Sequence, residues 1–179
     1  MGGRDRRGRA VSEDGPPAIP REIERKYLLR GLPPRAAETT PWQIDQGYLP
    51  GDVLIERVRR TVAPDGSTRY TRTVKAGRGV ARIELEEAAD QTTFDVLWTL
   101  TVGRRVRKAR HRVADGAYVW EIDHFLDRAL DLAEIELRHT DDVVAPPDWL
   151  APWIVREVTD EGAYTNAQLA RTPTHDAST

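Results

Sequence analysis

The sequence of 179 residues contains no cysteine. This absence excludes disulfide bonds, thiolate nucleophiles and zinc sites that are built on thiolates. The sequence also lacks an apolar run long enough to span a membrane, and it shows no apolar signal-peptide segment near its N-terminus. We therefore expect a cytoplasmic protein that has no membrane partner.

An excess of charge of one sign is also missing. Charged residues make up 31% of the chain, but the formal net charge is only -2. Proteins that bind nucleic acids usually carry a strongly positive surface, so we expect no nucleic-acid partner. The length corresponds to one domain with a sizeable core. We place that domain at residues 19–170, between a disordered N-terminal tail (1–18) and a loose C-terminal tail (171–179).

The chain is organised around the stretch Glu22-Ile23-Glu24-Arg25-Lys26. In a β-strand, alternate side chains lie on the same face, so Glu22, Glu24 and Lys26 would lie together. Two carboxylates followed by an ammonium group can bind a divalent cation and an anion that contacts it. A solvated strand face with charges of both signs is the alternative, and this stretch alone does not exclude it.

Charged or polar pairs at positions i and i+2 recur in six later segments. These pairs are Arg57 and Arg59, Thr73 and Lys75, Glu84 and Glu86, Lys108 and Arg110, Glu121 and Asp123, and Glu134 and Glu136. Independent exposed strands rarely balance acids and bases in this way, so the pattern favours one closed sheet with a charged interior. Such an interior has to hold water or a ligand, because burying each ion dry would cost several kcal/mol.

Eight strands are predicted from alternation and turn signals. They span residues 19–29, 42–49, 53–62, 68–75, 80–87, 102–113, 117–125 and 130–138. A helix is predicted at residues 90–100, capped by Asp90, with Phe94, Leu97 and Trp98 on the face that packs on the outside of the sheet. A short helix beginning at Pro146 and a last helical turn near Leu169 complete the predicted elements.

The Glu22–Lys26 motif, together with the ordered pairs that follow it, resembles the CYTH superfamily, also called the triphosphate tunnel metalloenzymes. The resemblance covers about residues 19–170, and the chain is most similar to the short single-domain bacterial members of the superfamily. It implies a mainly β (α+β) fold, in which a closed eight-stranded antiparallel barrel forms a tunnel. A few outer helices and a C-terminal helix that plugs or borders the tunnel are implied as well.

The resemblance also implies roles for the matching residues. The implied ligands of Mg²⁺ or Mn²⁺ are Glu22, Glu24, Asp123, Glu134 and Glu136. The implied phosphate clamp, which takes part in binding and catalysis, consists of Lys26, Arg57, Arg59, Lys75, Lys108 and Arg110. Two further catalytic candidates, Glu84 and Glu86, could hold a second metal, orient the basic residues or activate water.

These roles imply a metal-dependent hydrolase that cleaves a small triphosphate, in the first place inorganic tripolyphosphate to pyrophosphate and phosphate. Such hydrolysis needs a water molecule in line with the terminal phosphorus and no protein nucleophile. The alternatives are an adenylate cyclase, a thiamine triphosphatase, and a non-catalytic module that binds polyphosphate or a nucleotide. A homodimer is one candidate assembly.

Overall fold

The computed structural model describes residues 23–51, 53–76, 83–139 and 141–171. The predicted N-terminal tail (1–18) lies outside the described residues, and so does the C-terminal tail apart from Arg171. Within the described residues the chain forms nine strands and three short helices, so the mainly β architecture is confirmed. The strands are β1 (Ile23–Leu29), β2 (Trp42–Tyr48), β3 (Leu54–Val62), β4 (Thr68–Ala76), β5 (Ile83–Ala89), β6 (Arg105–Asp115), β7 (Tyr118–Phe125), β8 (Asp131–Leu137) and β9 (Ile154–Glu157).

The nine strands form one antiparallel sheet in the order β5-β4-β3-β2-β6-β7-β8-β1-β9. Tight turns join β3 to β4 and β6 to β7, as the sequence predicts. Gly66 and Gly116 lie in these turns with φ angles of 83° and 58°. This left-handed backbone conformation carries no steric penalty for glycine, which explains why glycine ends both turns.

The predicted closure of the sheet into an eight-stranded barrel is not confirmed. Among the described strands, β5 pairs only with β4, and no hydrogen bonds join it to the opposite end of the sheet. Both edges of β1 are occupied, one by β8 and the other by β9. The sheet therefore stays open, and the ninth strand covers an edge that the predicted barrel would have needed for closure.

The cross-strand register shows which side chains share a face, because directly opposed residues of antiparallel strands point the same way. Charged or polar side chains oppose each other in several of these pairs, among them Glu24 with Glu136, Lys26 with Glu134, Glu121 with Glu134, Arg110 with Asp123, Arg57 with Thr73, and Thr73 with Glu86. The predicted alternation is thus confirmed in these strands. We call the surface that carries these side chains the charged face.

The main apolar core lies on the opposite face. Tyr27, Trp120 and Ile135 are buried there, and the rings of Tyr27 and Trp120 lie 5.8 Å apart. Leu150 covers this cluster from the loop before β9, together with helix α1 (Pro34–Ala37). Complete burial of each large apolar side chain contributes about 1.5–3 kcal/mol, so this core stabilises the sheet from the face opposite the charged face.

The predicted outer helix is confirmed as α2 (Gln91–Thr99). The carboxylate of Asp90 caps it by accepting a hydrogen bond from the Thr93 amide at 2.6 Å. Phe94 is buried 5.2 Å from the ring of Tyr70, on the face opposite the charged face. The helix predicted at Pro146 is instead a turn followed by a short 3-10 helix, Ala151–Trp153.

A second apolar cluster lies at one end of the charged face. Tyr48, Phe125 and Leu132 pack there against Val158 and Leu169 of the C-terminal segment. This segment contains the last helix, α3 (Asn166–Leu169), so the predicted helical turn near Leu169 is confirmed. The segment therefore covers part of the charged face. No helix within the described residues is long and apolar enough to cross a membrane.

Candidate active site

A cavity of about 620 Å³ lies on the charged face. The described residues that line it include five basic and three acidic side chains: Lys26, Arg57, Arg59, Lys75, Arg110, Glu24, Glu86 and Glu134. All eight are predicted site residues, and they come from six strands, β1, β3, β4, β5, β6 and β8. The excess of positive charge gives the cavity a potential that attracts anions.

Arg59 lines this cavity close to the charges of Arg57 and Arg110. Its Nε donates to Oε1 of Gln46 at 3.0 Å, and it makes no ion pair within the described part of the chain. Burial, together with the nearby charges of Arg57 and Arg110, lowers the pKa of Arg59 to about 10. A guanidinium held among like charges, with a neutral hydrogen-bond partner, is a ready receptor for an anion.

Arg57 is held beside Arg59 by side chains of β4 and β5. Its Nη2 donates to Oγ1 of Thr73 at 2.7 Å and to Oε2 of Glu86 at 2.8 Å. Thr73 in turn donates to the same Glu86 oxygen at 3.0 Å. The Nε of Arg57 is buried and makes no hydrogen bond with the described residues. Buried donors are normally satisfied, so this nitrogen lacks the acceptor that such an atom needs.

Lys26 and Arg110 share the carboxylate of Glu134. The Nζ of Lys26 lies 3.0 Å from one oxygen, and Nη2 of Arg110 donates to the other at 2.7 Å. Burial alone would lower the pKa of Lys26, but Glu134 and Glu24 outweigh it and raise the pKa above its usual value. Both basic side chains therefore stay charged at the cavity wall, with Glu134 fixing their positions.

Lys108 and Asp123 form a fully buried pair behind the cavity wall. The Nζ of Lys108 donates to Oδ2 of Asp123 at 2.5 Å, and neither side chain is exposed. Arg110 donates to both oxygens of Asp123 at 2.7 Å. Burial lowers the pKa of Lys108, whereas Arg110 and Lys108 overcome the effect of burial and lower the pKa of Asp123. These two residues lie in the charge network, but neither lines the cavity.

Glu24 and Glu136 lie directly opposite each other on β1 and β8. Both are exposed, and Glu24 makes one long contact of 3.5 Å with Nζ of Lys26. Glu136 makes no ion pair within the described residues. Like charges in directly opposed positions destabilise a strand pair, so a cation between these carboxylates would relieve the repulsion. Oxygen atoms of carboxylates are also the ligands that Mg²⁺ and Mn²⁺ prefer.

The side chains of two predicted site residues, Glu22 and Glu84, lie outside the described part of the structure. Glu22 lies outside the described residues, and of Glu84 only the backbone is described, opposite Lys75. In the part of the chain that is described, no three histidine or acidic side chains are grouped so that they could hold a metal. The carboxylates of Glu24 and Glu136 therefore supply two candidate ligands on the described charged face.

Three residues that line or support the cavity were missed in the sequence: Gln46, Tyr48 and Asn166. Gln46 is fully buried, and its Nε2 donates to the hydroxyl of Tyr48 at 2.7 Å. The alternation of β2 already places Gln46 and Tyr48 on one face, so extending the face argument to this strand would have found them. Asn166 had no such signal, because its position depends on the path of the C-terminal segment.

The fold and the site together define a class of protein: an antiparallel sheet that gathers basic side chains around a cavity for an extended anion. An arginine can bind two oxygens, and the cavity holds three arginines, Arg57 and Arg59 from β3 and Arg110 from β6. A chain of phosphate groups presents oxygens along its length, so it matches this arrangement better than a single phosphate group does.

Known proteins place the chain more closely. No model of a known protein family matches it. The chain is 35% identical over 153 residues to an inorganic triphosphatase of Nitrosomonas europaea, and this match covers 83% of the chain and 96% of that protein. It is 30% identical over 157 residues to an inorganic triphosphatase of Acetivibrio thermocellus, which covers 86% and 95% of the two proteins.

A crystal structure of an inorganic triphosphatase is also similar, with a TM-score of 0.63 and 32% identity over 87% of this chain and 97% of the other. The chain therefore belongs to the short bacterial inorganic triphosphatases of the CYTH superfamily.

Proposed function

We propose that this protein hydrolyses inorganic tripolyphosphate to pyrophosphate and phosphate with the help of a divalent cation. The cavity carries the proposal, because Arg59 has no ion-pair partner among the described residues and Nε of Arg57 is buried without an acceptor. Charged donors in a cavity are stabilised by an anion with several oxygens. The two relatives named as inorganic triphosphatases support the same substrate.

The basic residues of the cavity bind and orient the substrate in this proposal. Arg57 and Arg59 contact one part of the phosphate chain, while Lys26 and Arg110 contact another part across the cavity; Lys75 completes the clamp. Their charges stabilise the negative charge on the equatorial oxygens while water attacks the terminal phosphorus in line. Because these side chains are already held by neighbours, little reorganisation is needed when the substrate reacts.

The acidic residues divide into two groups by their contacts. Glu86 binds Arg57 and Thr73, which favours an orienting role among the three that the sequence left open. Glu134 and Asp123, which the resemblance implies as metal ligands, likewise accept hydrogen bonds from basic residues, and we propose that they orient the clamp instead. The roles predicted for Glu84 and Lys108 as direct participants stay predictions.

Glu24 and Glu136 are the residues that we propose as ligands of Mg²⁺ or Mn²⁺, together with Glu22. They fit a cation because they are opposed like charges with little compensation from described residues. The bound cation would neutralise charge on phosphate oxygens. The homodimeric assembly, the cytoplasmic location, the single-domain boundaries and the absence of nucleic-acid and membrane partners stay predictions.

A panel of substrates tests the proposal. Phosphate release and cyclic-nucleotide formation are measured from tripolyphosphate, thiamine triphosphate and ATP, each with Mg²⁺ and with Mn²⁺. We expect phosphate from tripolyphosphate at the highest kcat/KM and only when a metal is added. Cyclic AMP as the main product would indicate a cyclase, preference for thiamine triphosphate would change the substrate, and binding without turnover would indicate a non-catalytic module.

A further inference from the structure

The segment of residues 158–170, which we call the strap, joins the edge of the sheet to the charged face. It follows β9 directly, and the amide of Val158 donates to the carbonyl of Lys26 at 2.8 Å. The amide of Lys26 donates to Oγ1 of Thr159 at 3.1 Å. The strap is therefore tied to the main chain of a residue whose side chain lines the cavity.

An ion pair fixes the start of the strap from the other face of β1. Nε and Nη2 of Arg25 donate to the two oxygens of Glu157 at 3.0 and 2.6 Å. Thr159 donates to Oε1 of the same carboxylate at 2.6 Å. Val158, at the start of the strap, and Leu169, near its end, are buried in the apolar cluster on the charged face. With both of its ends held, the strap presents Thr165, Asn166 and Ala167 to the cavity.

The side chain of Asn166 has a defined orientation at this wall. Its Oδ1 accepts a hydrogen bond from Nζ of Lys108 at 3.3 Å. An ammonium group can only donate, so the amide oxygen has to face Lys108 and the amide NH₂ has to point elsewhere. The NH₂ group makes no hydrogen bond within the described residues, although the residue lines the cavity.

We infer that Asn166 is a further substrate-binding residue: its NH₂ group donates to a phosphate oxygen while its carbonyl oxygen holds Lys108. The inference rests on the proposed function, because it needs the cavity to hold a triphosphate. A neutral donor suits this position, since it adds a hydrogen bond to the anion without adding another charge next to Lys108 and Arg110. This hydrogen bond would also bring the strap into direct contact with the bound substrate.

Two substitutions separate substrate binding from support of Lys108. Asn166→Asp keeps an acceptor for Lys108 but replaces the donor with a negative charge. Asn166→Ala removes both groups, while Lys108 keeps its bond to Asp123. Gln168→Ala is the matched control, because Gln168 is exposed on the same helix and does not line the cavity.

The experiment compares KM and kcat for tripolyphosphate with Mg²⁺, and the thermal unfolding of each ligand-free variant. We expect KM to rise about tenfold in Asn166→Ala, the order expected for loss of one hydrogen bond to a charged acceptor. The rise should be larger in Asn166→Asp, with kcat changed much less. The melting temperatures, and the KM of Gln168→Ala, should stay near the wild-type values.

A wild-type KM in Asn166→Asp would overturn the inference, because that variant lacks the donor and retains only the contact with Lys108. A KM increase that is equal in Gln168→Ala would overturn it as well, since it would reflect a general loosening of the strap. If the wild type does not hydrolyse tripolyphosphate at all, the proposed function fails and this inference falls with it. If the wild type hydrolyses tripolyphosphate and both Asn166 variants keep its KM, the inference about Asn166 is refuted and the proposed function stands.

Discussion

Arg59 and Arg60 are neighbours in β3 that lie on opposite faces of the sheet. Arg59 lines the cavity and donates to Gln46. Arg60 donates from Nε and Nη2 to Oδ2 of Asp45, at 3.1 and 2.6 Å, on the other face. Replacing each in turn by methionine removes the same charge from the same strand. We predict that Arg59→Met strongly weakens the binding of tripolyphosphate and has little effect on stability. Arg60→Met should lower stability and have little effect on binding.

Two opposing effects decide how Arg59→Met changes the free energy of unfolding. Its pKa falls from 12.5 to about 10, so the folded protein disfavours this charge by up to about 3 kcal/mol. The substitution relieves that cost, but it leaves the buried Oε1 of Gln46 without a donor, which costs about 1–3 kcal/mol. We therefore expect the free energy of unfolding to change by about 1 kcal/mol or less. The affinity for tripolyphosphate should fall roughly 100-fold, which corresponds to about 3 kcal/mol for lost bonds to a charged ligand.

Arg60→Met removes one of two guanidinium partners from Asp45, whose side chain is 12% exposed; Arg107 still donates to it at 2.8 Å. We expect a loss of about 1–2 kcal/mol of stability, or roughly 2–8 °C in melting temperature. Affinity should change less than about twofold, because distant independent sites rarely couple strongly. Urea denaturation measures the stability, and calorimetric titration of tripolyphosphate with Ca²⁺ in place of Mg²⁺, chosen to suppress turnover, measures the affinity. An equal loss of affinity in both variants would refute the assignment of these arginines to opposite faces.

Two further predictions concern carboxylates. Glu24→Gln and Glu136→Gln should each abolish turnover at limiting metal. The fold should stay intact, because each substitution also removes one of two opposed like charges, whose repulsion costs about 0.2–1 kcal/mol. Near-wild-type rates in either variant would contradict the metal assignment. Hydrogen bonds from Arg25 and Thr159 lower the pKa of Glu157 from 4.5 to about 2. The ionised carboxylate therefore stabilises the fold at pH values above the unfolded-state pKa, and this contribution is lost as the pH falls from 4.5 towards 2. Urea denaturation of Glu157→Gln should therefore show a free energy of unfolding about 1 kcal/mol lower than that of the wild type at pH 7; the loss is this small because the side chain is 39% exposed and solvent screens the pair. A difference in unfolding free energy that stays constant down to pH 2–3 would contradict this prediction.

The face of each charged side chain could be predicted from the sequence, because the period of a strand is fixed at two residues. Once 19–29 and 130–138 are identified as strands, Lys26 and Glu134 must each lie with their charged neighbours. Their direct opposition depends on the register between two distant strands, which no local pattern contains. Depth is also absent from the pattern: Lys108 and Arg110 share a face, but only Arg110 reaches the cavity.

The openness of the sheet and the path of the strap could not be predicted, for a related reason. β9 has four residues and its sequence, Ile-Val-Arg-Glu, does not alternate, so it forms a strand only because β1 offers an unpaired edge. The position of Asn166 follows from that pairing and from the burial of Leu169. Both features are tertiary, and a prediction based on local periodicity has no access to them.

The central claim is that charged side chains from several strands converge on one triphosphate. It is tested most directly by thermal unfolding of the wild type with Ca²⁺ and either tripolyphosphate or orthophosphate. Tripolyphosphate at about 100 times its dissociation constant should add about 2.7 kcal/mol of stability, because the clamp exists only in the folded protein. For a chain of this length, that is a rise of about 5–10 °C in melting temperature. Orthophosphate at the same concentration should give little, since it reaches only part of the clamp. Equal shifts with the two ligands would contradict the claim.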